Sequence, residues 1–248
     1  GMGPSQGKHA IMNTARCLAF LRNRGITEGD LTTARPFYTP VRIGHLAGRN
    51  FHPLRRTPIH NRHEAAHAEF MYAGDWQRPA CYRGDRRSRT ETIRDEVVAV
   101  RNQVGLIDVG TLGKIDVRGP DAVEFVERLY TGRIAKLKIG MMRYLAMCDE
   151  SGIVVDDGIA ARLAEDHVYL TATTNGANAV VREMRRWAIL WGLNVSIINY
   201  TGQYAAFNLA GPASRKVMSA VTEVDLEAES FPYLGLRLGA VCAAPARI

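Results

Sequence analysis

The sequence predicts an α+β fold with mixed and antiparallel sheets, and three observations carry that expectation. From Met142 to Thr173, short apolar runs are broken by Asp149-Glu150-Ser151-Gly152 and Ala164-Glu165-Asp166, polar clusters suited to hairpin turns. Around them, Ile93–Gln103, Pro120–Leu129 and Asn178–Trp191 place apolar residues at helical spacing. Finally, D-V-R-G-P-D-A-V-E-F-V and N-L-A-G-P-A-S-R-K-V-M both read as strand, Gly-Pro, helix, with Gly119 and Gly211 lying 92 positions apart. Two similar α+β units packed together would produce that echo.

Taken in order, the chain opens with G-P-S-Q-G-K ahead of an amphipathic helix from His9 to Arg24. A Gly-rich turn at a helix N-terminus can hold a phosphate on free backbone N–H groups, which makes Gly3, Ser5 and Gly7 cofactor-binding candidates; Ser5 would serve equally as an N-cap. Residues 25–57 hold Pro36, Pro40 and Pro53 among scattered glycines and show little periodicity, so they read as a linker. Thr57-Pro58 then resembles an N-cap with Pro in the first turn. In the helix expected after it, His60, His63 and His67 would share one face. That spacing lacks the companion ligands of a known zinc pattern, so no metal is assigned. Trp76 and Tyr82 are expected in a Pro-containing loop, as core packing or a ligand wall. Lys114–Arg118, Met142–Met147, Gly152–Arg162, His167–Thr173, Asn194–Ile198 and Gln203–Ala210 are expected strands. Gly211-Pro212 should open a last helix reaching Val221.

Composition narrows the class. Of 248 residues, 46% are hydrophobic and 23% charged, and no apolar run approaches a membrane span. The four cysteines lie far apart without a C-x-x-C pair, which reads as reduced thiols in a cytoplasmic protein. The net charge of +7 comes from arginines concentrated in residues 42–56 and 78–101 with few aromatics among them. That pattern argues against nucleic acid and for a solvated basic surface or a small anionic ligand.

The stretch V-G-L-I-D-V-G-T-L-G-K-I-D-V-R-G-P, residues 104–120, holds the residue least explained by structure. Asp108 sits between Leu106-Ile107 and Val109, where burial of a carboxylate is costly without a partner. It is the candidate chemical centre.

At this point the motifs resemble a known family. P-I-H-N-R-H-E-A-A-H-A-E-F-M-Y-A-G-D-W-Q-R-P-A-C-Y is similar to the opening helix and GGW-x-x-P-x-x-Y loop of the folate-binding aminomethyltransferases, whose founding member is the glycine cleavage T-protein. V-G-L-I-D-V-G-T-L-G-K-I-D-V-R-G-P-D-A resembles that family's VGLFDVSHMG…V-x-G-P-D-A, and M-R-Y-L-A-M-C-D-E-S-G-I-V-V-D-D its Y-x-x-ML-x-E-x-GGI-x-DD. The leader and the D-V-G-T-L-G-K and D-D-G-I-A-A-R-L runs are most similar to the C-terminal half of sarcosine oxidase alpha subunits. The resemblance implies a cloverleaf of α+β subdomains around a folate channel. Residues 2–24 would be the last helix of an upstream dinucleotide-binding domain, 25–57 a linker, and 58–248 a partial folate-binding domain. Its third subdomain would be missing, because the chain stops just before the family's F-S-G-E-L-G-Y-E segment, and the isolated chain is expected to be inactive.

The implied chemistry is transfer of the iminium carbon of sarcosine to tetrahydrofolate. Asp108 takes the place of the family's functional aspartate, and Tyr82, Tyr144, Asp157 and Thr173 line the folate. Flavin and NAD would act only in the intact complex, with other sarcosine oxidase subunits as partners. A truncated chain would also pair with itself if it exposed an apolar face. The alternatives are a free-standing glycine-cleavage-type aminomethyltransferase and a non-catalytic folate-binding protein. The sequence departs from the family pattern where Ser-His becomes Gly110-Thr111, T-N-D becomes Thr131-Gly132-Arg133, and a tyrosine becomes Ala161.

Overall fold

A five-stranded antiparallel sheet organises the chain. In spatial order it runs β6 (Met142–Cys148), β7 (Val154–Ala164), β8 (His167–Ala172), β5 (Gly113–Arg118) and β9 (Ser196–Asn199). The computed structural model describes residues 54–82 and 88–248. The expected N-terminal helix and Gly3, Ser5 and Gly7 lie outside the described residues. The expected α+β class with antiparallel sheets is what the fold shows.

Alternation along the strands sets the two faces of the sheet. Ile115 and Val117 of β5, Val168 and Leu170 of β8, Ala160 of β7, and Leu145 and Met147 of β6 point to one side and are buried. There they meet α3 (Ala122–Leu129) and α4 (Ala177–Trp191) through Phe125, Val126, Val180 and Met184. The Phe125 ring meets Trp191 edge-on at 5.9 Å. The intervening residues face the other way. Lys114 pairs with Thr171, Tyr144 pairs with Ile159, and the Ile159 N–H donates to Thr171 Oγ1 (2.8 Å). Lys114, Thr171, Ile159 and Tyr144 therefore form one row across four strands. At about 4.8 Å per strand, that row is roughly 14 Å long.

A smaller sheet precedes this one. β1 (Arg55–Arg56) runs parallel to β3 (Trp76–Tyr82), which pairs antiparallel with β2 (Ala68–Ala73). Two expectations are corrected here. Trp76 and Tyr82 lie on a strand, and β1, within the span expected as linker, is already part of this sheet. The helix after Pro58 is also short: α1 covers only His60–Ala65. His67 follows with φ 55 and the chain turns into β2, so the three histidines do not share a face.

The sequence echo is a structural duplication with exchanged strands. One half is α2 (Arg89–Asn102), β4 (Gly105–Asp108), β5 and α3. The other is α4, β9, β10 (Phe207–Ala210) and α5 (Ser214–Ser219). β4 pairs with β10, and β9 pairs with β5, so each half completes the other's ladder. Details repeat: Val109 N–H donates to Ala206 O (2.9 Å) and Tyr200 N–H to Lys114 O (2.7 Å). Gly119 (φ 130) and Gly211 (φ 119) press against carbonyls of the opposite half, where a Cβ would lie 2.4 Å from Asn194 O and 2.5 Å from Gln103 O. Only glycine suits that backbone and that gap. Asp108 and Asn199 occupy matching corners. Each closes a turn by accepting from the N–H two residues on, Gly110 (2.7 Å) and Thr201 (2.9 Å).

Other boundaries moved. β7 starts at Val154 rather than Gly152, β10 is four residues instead of eight, and α5 ends at Ser219. The hairpin β11 (Leu238–Val241) and β12 (Ala244–Arg247) was not expected. Arg247 ties it to the main sheet through two hydrogen bonds to the fully buried Asp116 (2.8 and 3.0 Å).

Candidate functional site

Asp108 ends β4 with its carboxylate inward. Its neighbours behave opposite to expectation: Leu106 is 63% exposed and Ile107 is exposed too, whereas the Asp108 side chain is 1% exposed. The cost of burying the carboxylate is met by three donors. Thr57 Oγ1 (2.7 Å) and His63 Nε2 (2.8 Å) donate to Oδ2, and the Gly110 N–H donates to Oδ1 (2.7 Å). Thr57 is thus not the N-cap that the sequence suggested. Ile59 occupies that position without a side-chain cap, and the Thr57 hydroxyl is spent on Asp108.

The imidazole continues outward. Tyr82 Oη lies 2.6 Å from His63 Nδ1. Because a carboxylate only accepts, Nε2 carries a proton toward Asp108; in the neutral imidazole Nδ1 is then the acceptor and the tyrosine O–H the donor. Tyr82 is 38% exposed, so the chain Asp108–His63–Tyr82 runs from a buried charge to the surface. Partial burial, then the charges of Asp108 and Glu96, push the Tyr82 phenol above its usual value and keep it protonated.

Lys114 closes the other side. Its buried ammonium donates to Gly110 O (2.8 Å) and Leu112 O (2.9 Å), bracing the turn that follows Asp108. Burial pulls its pKa down to about 8, against the opposing attraction of Asp108 and with a smaller push from Arg55.

The remaining expected residues gather near the starts of β6 and β7 and the end of β8. The Tyr144 hydroxyl donates to Asp157, a bond that raises the Tyr144 pKa, and its ring is 64% exposed. Thr173 donates its N–H to the buried Asp156 (3.1 Å to Oδ2), and its hydroxyl accepts from the Gly176 N–H at the start of α4 (3.2 Å). Thr111 and Thr174 share a hydrogen bond (2.9 Å) that joins the Asp108 loop to the Thr173 loop. Asp108 and Tyr82 are linked through His63, while Tyr144 and Asp157 form a separate pair at the far end of the sheet row. Thr173 holds backbone and helix start together. His63, Thr57 and Lys114 were missed as site residues. Among the described residues no group of three His, Cys, Asp or Glu side chains is arranged to hold a metal ion.

The sequence and the fold have counterparts in known proteins. The GCVT N-terminal domain family matches residues 59–248. The chain belongs to this family. Within the GCVT family, a sarcosine oxidase subunit alpha from Rhizobium meliloti (strain 1021) is 36% identical over 244 residues, covering 96% of this chain and 25% of the relative. An aminomethyltransferase from Lysinibacillus sphaericus (strain C3-41) is 34% identical over 180 residues, 72% of this chain and 46% of the relative. The crystal structure of the glycine cleavage system aminomethyltransferase T from Bartonella henselae superposes with a TM-score of 0.61 at 30% identity, covering 67% of this chain and 43% of that one. Residues 1–49 match the sarcosine oxidase A3 domain. The chain spans about a quarter of its sarcosine oxidase relatives and under half of its aminomethyltransferase relatives. No described helix is long and apolar enough to cross a membrane.

Proposed function

We propose that this GCVT-family unit belongs to a sarcosine oxidase alpha-like protein, binds tetrahydrofolate and passes to it the iminium carbon of sarcosine. The observation that carries the reading is the buried Asp108 carboxylate, held by three donors and none of them cationic side chains of lysine or arginine. Such a charge is stabilised in place yet not neutralised by a guanidinium, and it favours cationic character developing nearby. From Thr171 through Ile159 to Tyr144 the sheet row is at least partly open to solvent, a surface of about 10 Å on the scale of a pterin. Tyr144, exposed and fixed through Asp157, offers an aromatic face with a polar handle for a flat ligand.

The reaction balances without added reagents. A folate nitrogen attacks the iminium carbon and the C=N π electrons move to the amine nitrogen. The amine leaves and the second folate nitrogen closes the ring. Both N–H protons of the folate end on the departing glycine. The protein's task is to take each proton and return it to the amine. Flavin and NAD would act in the intact complex; Gly3, Ser5 and Gly7 lie outside the described residues, and no step here runs through either cofactor. The other subunits of such a complex are part of the same proposal.

The test follows sarcosine through the full-length protein. If the reading holds, added tetrahydrofolate replaces formaldehyde by 5,10-methylenetetrahydrofolate one for one. Formaldehyde release unaffected by saturating tetrahydrofolate contradicts it. Dimethylglycine in a parallel arm distinguishes sarcosine from related N-methyl amines.

A further inference from the structure

Building on the folate reading, we infer that Tyr82, working through His63, is the group that exchanges protons with the substrate, and that Asp108 acts at one remove. Asp108 itself is poorly placed for contact. Its side chain is 1% exposed, and both carboxylate oxygens already accept hydrogen bonds. Thr57 and Gly110 donate to it but lead no further. Among the described residues, His63 alone of its partners makes a second side-chain bond outward, to Tyr82 Oη at 2.6 Å. The His63 ring is itself buried whereas Tyr82 is 38% exposed, so Tyr82 is the first residue of the chain that a ligand can reach.

The directions of the bonds define what the chain can do. His63 Nε2–H points at Asp108, and Nδ1 accepts the Tyr82 proton. The tyrosine oxygen keeps its outward lone pairs for a ligand N–H. When a folate nitrogen bonds to carbon, its N–H breaks and the proton forms a new O–H on Tyr82. The original Tyr82 proton moves to His63 Nδ1, and the resulting imidazolium is held by the Asp108 carboxylate. Run backwards, the same moves protonate the departing amine. No charge is left behind, which suits a reaction that releases no net proton. A nucleophile–base–acid constellation elsewhere uses a carboxylate in the same way, to fix the tautomer and stabilise the imidazolium. Tyr82 is the catalytic residue in this scheme, and His63 and Asp108 are positioning residues that accept and stabilise the proton.

The experiment uses the full-length protein with tetrahydrofolate and sarcosine. Tyr82→Phe removes only the hydroxyl. It is expected to leave tetrahydrofolate affinity within about threefold while slowing methylene transfer by ~10²–10⁴-fold. His63→Gln is expected to fall in the same range. The double variant should be no slower than the worse single, because residues acting as a unit are not additive. The solvent isotope effect on transfer should change in Tyr82→Phe, which a merely structural role would not cause. Transfer by Tyr82→Phe within threefold of wild type overturns the relay while leaving folate binding intact. Multiplied effects in the double variant overturn it too. Absence of tetrahydrofolate binding in the unsubstituted protein sinks the functional reading and the relay together. If His63→Gln fails to fold, the rate and isotope effect of Tyr82→Phe still decide the matter.

Discussion

Two buried aspartates eight positions apart should respond unequally to the same substitution. Asp116 is fully buried and has guanidinium partners: Arg247 binds it twice (2.8 and 3.0 Å) and Arg118 once (2.9 Å), with His167 Nε2 at 3.0 Å. Burial pushes its pKa up, but the hydrogen bonds from Arg247 and Arg118 and the nearby positive charges outweigh that and hold the carboxyl below 3.8. Asp116→Asn keeps the volume and removes the charge, leaving Arg247 half-buried with an amide in place of its fork. Breaking a buried pair in this way costs about 3–5 kcal/mol. For a folded unit of this size each kcal/mol shifts Tm by ~2–4 °C, so a fall of roughly 6–20 °C is expected. Asp108→Asn faces a milder situation. The amide oxygen can still accept from Gly110, and His63 can turn to its other tautomer and accept from the new N–H, so about 1–2 kcal/mol is lost. Thermal melts followed by circular dichroism compare the two. The reasoning is refuted if Asp116→Asn melts within about 3 °C of wild type, or if Asp108→Asn is the less stable variant. Acid sharpens the comparison: Asp116 contributes fully above the unfolded carboxyl value and loses its contribution as pH drops through the lower folded one. The stability gap between wild type and Asp116→Asn should therefore close below about pH 4.

The other expectations concern Lys114 and the paired glycines. Because Lys114 has a folded pKa of about 8 against 10.5 unfolded, its buried charge penalises the fold below pH 8, and the penalty fades as pH rises toward 10.5. Urea denaturation should show wild type gaining up to about 2 kcal/mol over pH 8–10 relative to Lys114→Met, and a flat difference would contradict the assignment. Gly211→Ala and Gly119→Ala each drive a Cβ into backbone at positive φ and should cost at least about 2 kcal/mol. Gly152→Ala (φ 84), with nothing within 4 Å, should cost about 1 kcal/mol, and equal losses at all three sites would show that close approach is not the reason for glycine.

Much of the fold was legible because its signals are local. Period-two alternation exposed β5, the Asp149–Gly152 cluster marked the β6–β7 turn, and the Gly-Pro pairs marked both halves of the duplication. The exchange of strands between halves was not legible, since nothing in β4 or β9 names a partner some hundred residues away. The motif resemblance pointed to Asp108, and the structure gives it a physical setting, but its partners were hidden by stronger local readings. Thr57-Pro58 looked like a cap, and His60, His63 and His67 looked like one helical face. Both readings assume a helix that continues, whereas the left-handed His67 ends it and releases His63 to point at Asp108. Lys114 read as the polar residue of an alternating strand, and only the turn folding back over it shows why an ammonium is there. The β11–β12 hairpin has weak alternation and is held by Arg247 reaching Asp116, a contact between residues 131 positions apart.

The central claim, that Asp108 serves folate-linked carbon transfer and is not primarily structural, is tested most directly by Asp108→Asn in the full-length protein. The quantity to measure is 5,10-methylenetetrahydrofolate formed per sarcosine oxidised, at saturating tetrahydrofolate. The account predicts that sarcosine oxidation continues while its carbon emerges as formaldehyde, with the methylene yield reduced at least about a hundredfold. A folded Asp108→Asn protein that still converts every oxidised sarcosine into methylenetetrahydrofolate would contradict it.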